Sequence, residues 1–141
     1  MSTETIEANI NAVVKSFEAI SSDDLDALDD VMDEDMTFSD PATEIEGLDD
    51  YKDYNRVLLS AIPDMGAEVH EMLAEDDVVV VYFTFRGTHE GEYEGIEPTG
   101  NEVEGIAVMI DRLEDGKIVE RTEVYDTLSF FQPLGVDPSE I

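Results

Sequence analysis

Acidic residues outnumber basic ones so heavily in this chain that its surface constrains the fold before its core does. Thirty-seven aspartates and glutamates face seven lysines and arginines in 141 residues, for a formal charge of −30. Such self-repulsion opposes a compact state in dilute buffer, yet at 1 M salt it is screened within roughly 3 Å. The composition therefore suits a cytoplasm held at molar salt, and the chain reads as a halophile's soluble protein. High charge with few apolar residues would instead give a disordered chain. Here apolar residues make up 42% of the sequence and recur in ordered patterns, so a core can form at this length. One domain spanning residues 1–141 is expected, with 128–141 as a C-terminal tail that serves as a lid or a dimer contact.

The absence of cysteine removes disulfides, zinc–thiolate sites and thiol nucleophiles together. The first nine residues lack the basic start and apolar run of a signal peptide, and no apolar stretch approaches the ~18 residues of a membrane span. Seven dispersed cations cannot build a basic face for nucleic-acid phosphates or for an anionic membrane. A cytoplasmic enzyme or binding protein with a small-molecule partner is what remains.

Ile6, Ile10, Val13, Val14, Phe17 and Ile20 recur at three-to-four spacing, which predicts an amphipathic helix over 5–20. Ser22 or Asp23 can cap a second helix carrying Leu25, Leu28, Val31 and Met32, with Asp24, Asp26, Asp29, Asp30 and Asp33 on its outer face. That acidic run has helical spacing and no glycine turn, so it reads as a solvated face and not as a calcium loop. A short strand over 36–38 and a third helix over 48–61 follow, ending at Ile62-Pro63. Four strands then span 67–73, 78–88, 102–113 and 118–128, the last pair joined by the hairpin signal Asp115-Gly116. Helices first and a meander afterwards give an α+β fold. Gly87, Gly91, Gly95 and Gly100 are strand-end and turn glycines, since no helix and no lysine follow them as a phosphate loop requires. The aromatic residues Phe17, Phe38, Tyr54, Phe83, Phe85, Phe130 and Phe131 belong to the core, and some of them line any pocket it holds.

Several blocks in order carry a resemblance. They are Asp40-Pro41, Pro63-Asp64, Gly87-Thr88-His89-Glu90-Gly91 with Gly95-Ile96-Glu97-Pro98-Thr99-Gly100, Glu114-Asp115-Gly116-Lys117-Ile118, and Asp126-Thr127-Leu128 with Leu134-Gly135. Nearly end to end, the chain resembles the SnoaL-like polyketide cyclase family. The resemblance implies the cone-shaped α+β barrel shared with nuclear transport factor 2 and ketosteroid isomerase. In that fold a strongly curved, mostly antiparallel sheet wraps N-terminal helices around an apolar pocket, usually in a homodimer. It also implies cofactor-independent chemistry, with no metal, in which a carboxylate takes a proton from the carbon beside a carbonyl.

On that resemblance Asp126 matches the general base, and strand alternation puts it on a face with Thr122 and Val124. An apolar setting would raise its pKa toward the operating pH. His89 shares a face with Phe83 and Phe85 and is the assisting acid or orienting group, or else it caps a strand end structurally. Phe38 and Met109 complete the substrate-binding set with Phe83, Phe85, Thr122 and Val124. His70 is assigned to the surface or a dimer contact. Two positions depart from the family pattern: Ser39 stands where histidine precedes aspartate-proline, and Thr122 stands where tryptophan precedes the final aspartate by four. The strand over 103–110 also offers Gly105, Ala107 and Met109 where cyclases place polar groups. The expected function is therefore a cyclase, isomerase or lyase acting on a small apolar carbonyl compound; the alternative is a non-catalytic ligand-binding or dimerisation module.

Overall fold

The computed structural model describes residues 2–140; Met1 and Ile141, the two ends of the expected domain, lie outside them. Helix α1 covers Thr3–Ser21 and begins where the Ser2 hydroxyl accepts the Thr5 amide at 3.1 Å. It buries Ala12, Val13, Ser16 and Ala19 on one stripe, and its chain turns out at Asp23, whose φ is 54°. The second helix predicted from sequence is shorter than expected. Leu25–Asp30 forms a 3-10 turn that buries Leu25 and Leu28, and Met32 already opens strand β1, Met32–Ser39. Asp29 and Asp30 would stand at the negative end of a longer helix, where carboxylates destabilise it. Asp29 instead pairs with Lys52 at 2.7 Å.

A short strand β2, Glu44–Glu46, folds back on β1, and α2 follows over Leu48–Ala61. The meander then runs through β3 (Gly66–Glu75), β4 (Val78–Thr88), β5 (Glu102–Glu114) and β6 (Lys117–Tyr125). These strands form one six-stranded sheet in the order β2-β1-β6-β5-β4-β3. Every pairing is antiparallel except β1 with β6, which is parallel. The β5–β6 turn has φ of 51° at Asp115 and 78° at Gly116, the pair of positive values that a two-residue hairpin of this twist needs. Irregularities in register between Met32 and Thr37, Val69 and Glu71, and Arg112 and Leu113 bend the sheet.

The sheet closes around α1 and α2. Val79, Val81, Phe83 and Phe85 of β4 and Val103, Ala107 and Met109 of β5 point inward and are buried, each large side chain stabilising the fold by about 1.5–3 kcal/mol. Phe17 of α1 meets Phe83 edge to face at 5.2 Å, and Phe38 of β1 packs on Tyr51 and Tyr54 of α2 at 5.0 and 5.4 Å. The outer face of the sheet stays uncovered: Ile106 is 54% exposed and Val124 57%. No helix among the described residues is long and apolar enough to cross a membrane.

The last strand also ends earlier than expected, at Tyr125 instead of Leu128. Asp126 becomes the N-cap of a short helix α3, Thr127–Phe131, with its carboxylate accepting the Ser129 amide at 3.1 Å and the Ser129 hydroxyl at 2.5 Å. A capping side chain three residues before a matching donor outcompetes one more turn of strand.

Candidate functional site

Between α1, α2 and the inner face of β4–β6 the fold leaves a cavity of about 400 Å3. Its walls are largely aromatic. Phe17 and Tyr54 come from the helices, Phe83 and Phe85 from β4, Tyr125 from β6 and Phe130 from α3. Phe85, Tyr125, Phe130 and Tyr93 pack edge to face, with centroids 5.8–6.2 Å apart. The exposed residues among the lining, Ser21, Asp50, Asp53, Val57, Ala67 and Glu94, mark where it opens to solvent.

Three inward residues of β6 set its polarity: Arg121, Glu123 and Tyr125. Arg121 is fully buried and pairs with the equally buried Asp111 through Nε at 2.8 Å and Nη2 at 2.7 Å. It also donates to Tyr51 Oη at 3.2 Å and to Ser16 Oγ at 2.6 Å, which ties α1, α2, β5 and β6 together. Burial opposes its charge, but Asp111 more than offsets this and holds the guanidinium protonated above its usual range. The pair is thus a neutral strut.

Glu123 has no such partner. Its carboxyl lines the cavity, and burial raises its pKa to about 7, helped by the negative charge of Asp40 and opposed by Arg121. Asp40 follows Ser39, which pairs with Thr122 across the β1–β6 ladder, so it sits beside Glu123 at the strand ends. Its carboxylate accepts the Tyr54 hydroxyl at 2.9 Å and the Ala42 amide at 2.8 Å. Burial pushes the Tyr54 and Tyr125 phenols up, and takes Tyr93 to about 12. At neutral pH these hydroxyls therefore stay protonated, with Tyr54 donating to Asp40.

The residues singled out from sequence divide between this cavity and other places. Phe83, Phe85 and Met109 line it. Phe38 lies one layer behind, under Tyr51 and Tyr54. Thr122 and Val124 do not share the inner face: they pair with Ile110 and Val108 on the outside of the sheet, which corrects the assumed alternation by one residue. Asp126 is exposed, and the two bonds from Ser129 hold its carboxyl below the usual range, opposite to the shift expected of it. His89 does lie on the side of Phe83 and Phe85 and is wholly buried. Its Nδ1, however, accepts the Thr99 amide at 3.2 Å and lies 3.0 Å from Thr99 Oγ1, so it fastens the loop over 90–100. Gly91 seats the same loop: a Cβ there would come within 2.1 Å of the Ser60 carbonyl oxygen. His70 lies on the outer surface, 2.6 Å from the Thr84 hydroxyl.

Glu123 is the residue that sequence reasoning missed. On β6 the charged residues Arg121 and Glu123 face in while Thr122 and Val124 face out, the reverse of ordinary patterning. The available signal was the Arg-x-Glu spacing on one strand face, two residues apart.

A family profile described as SnoaL-like polyketide cyclase matches residues 11–134. Among solved structures, a protein proposed to be a SnoaL-like polyketide cyclase from Jannaschia sp. CCS1 is 22% identical, covering 98% of this chain and 99% of its own, with a TM-score of 0.87. AclR from Streptomyces galilaeus, proposed to be a hydroxylase, is 28% identical over 94% of this chain and 84% of its own, with a TM-score of 0.82. IdmH from Streptomyces antibioticus, proposed to be a polyketide cyclase, is 26% identical over 91% and 99%, with a TM-score of 0.78. No curated protein matches the chain in sequence.

Proposed function

The chain belongs to the SnoaL-like polyketide cyclase family, and within it we propose a cofactor-independent cyclase, isomerase or lyase that moves a proton on a small apolar carbonyl compound, with Glu123 as the proton carrier. The observation that carries this reading is a carboxyl with a pKa of about 7 set in the wall of an aromatic cavity. A base whose pKa lies near the working pH combines a sizeable ionised fraction with useful basicity. Glu123 would remove the proton beside the carbonyl and return it at another carbon or to the ring-closed product. Tyr125, two residues along the same inner strand face, is placed to donate its hydroxyl to the oxyanion that develops. This reading takes the general-base role from Asp126, whose carboxylate is spent on capping α3, and gives His89 the task of holding the loop over 90–100.

The homodimer is assigned to the uncharged centre of the outer sheet face, around Tyr82, Ile106, Ile110 and Val124, which is apolar in a chain otherwise covered with acids. A cytoplasm of high salt is the setting this composition fits.

The test uses 2-tetralone as a generic apolar ketone in deuterium oxide, following loss of its α-protons by NMR. Wild-type protein is expected to speed exchange, with the rate rising through about pH 7 and levelling above it. Glu123→Gln should lose at least about a hundredfold of that rate, and exchange unchanged in this variant would remove Glu123 from the chemistry. If ketones bind equally well to both proteins and no exchange occurs, the protein is a ligand-binding module.

A further inference from the structure

The charge balance of the cavity points beyond proton transfer to the kind of molecule it admits. Of the charged residues that line it, Arg121 is cancelled by Asp111 and Asp53 by Arg56. Asp50 and Glu94 at the mouth and Glu123 within remain uncompensated, and no hydrogen bond contributes to the state of the Glu123 carboxyl. The cavity therefore holds negative charge and no free cation. Its walls add aromatic surface to that charge: Phe85, Tyr93, Tyr125 and Phe130 line the cavity and pack edge to face with one another. Aromatic rings attract cations, and more so out of water, while an anion entering the same space would meet the like charge of Glu123, Asp50 and Glu94.

We propose that the ligand of this cavity is a cationic apolar amine, bound among the aromatic rings with its ammonium toward Glu123, and that carboxylates and phosphates of the same shape are turned away. The inference rests on the reading of the Glu123 cavity given above.

Three probes sharing one ring system separate charge from shape: tetralin-2-amine, 2-tetralone and tetralin-2-carboxylate. Their dissociation constants are measured by calorimetry at about pH 8 in about 2 M KCl, where the long-range field of the −30 surface is screened and only local contacts discriminate. The amine is expected to bind about tenfold more tightly than the ketone, and the carboxylate at least about tenfold more weakly. Glu123→Gln should shrink the amine's advantage over the ketone to less than about threefold. The proposal is overturned if the carboxylate binds as well as the amine, if none of the three binds, or if the amine's advantage is untouched in Glu123→Gln. Deuterium exchange of the ketone is read separately. Amine preference without exchange would uphold this inference and sink the proton-transfer reading; exchange without amine preference would do the reverse.

Discussion

Glu123 is held in the folded protein at a cost. Its pKa of about 7 lies above the ordinary 4.5, so the native state binds more protons than the unfolded state between those values. Stability from this group is therefore full below about pH 4.5 and lost as pH rises through about 7. The shift corresponds to roughly 2 kcal/mol after allowing for solvent that reaches the carboxyl through the open cavity. Glu123→Gln should consequently be more stable than wild type at pH 8 and indistinguishable from it near pH 4.5, as thermal unfolding at the two pH values would reveal. A variant less stable at both would mean that the carboxyl is structurally satisfied. Residue types alone could not show this, because burying Arg121 and Glu123 in preference to Thr122 and Val124 becomes favourable only once Asp111, Tyr51 and Ser16 gather around the guanidinium. Those partners come from residues 10 to 105 positions away in sequence.

At the level of elements the local signals carried further. Apolar periodicity found α1 and α2, alternation found β3 to β5, and Asp115-Gly116 marked its hairpin, since each depends on neighbours in sequence. The errors fell at ends decided by side-chain bonds or by distant strands. Residues 25–30 shortened to a 3-10 turn, and β2 formed only because β1 offered it an edge. Asp126 ended β6 by capping α3. Asp126→Ala should cost about 1 kcal/mol through the lost cap, whereas Asp126→Asn, which can still cap, should stay within about 0.5 kcal/mol of wild type. Both variants should retain ketone exchange. If Asp126→Asn unfolds normally but exchanges nothing, the base belongs at the end of β6 and not at Glu123.

For the whole molecule, the family's fold was legible because several turn and strand-end blocks occur in order, while the cavity was not, since it exists only where the bent sheet stands off the two helices. The same charge that marks the surface should govern assembly. Two protomers of −30 repel in dilute buffer, so KCl should raise both the unfolding temperature and the dimer fraction. Sedimentation across a KCl series tests this, with Val124→Asp expected to remain monomeric where wild type pairs; a flat salt response would remove the halophile reading. Enzyme chemistry, ligand charge and pH behaviour all converge on the state of one carboxyl. The most direct measurement is therefore a 13C NMR titration of the glutamate side-chain carboxyls in molar KCl, with Glu123 assigned by its absence in Glu123→Gln. A midpoint near pH 7 is the predicted result, and a midpoint in the ordinary glutamate range near 4.5 would contradict it.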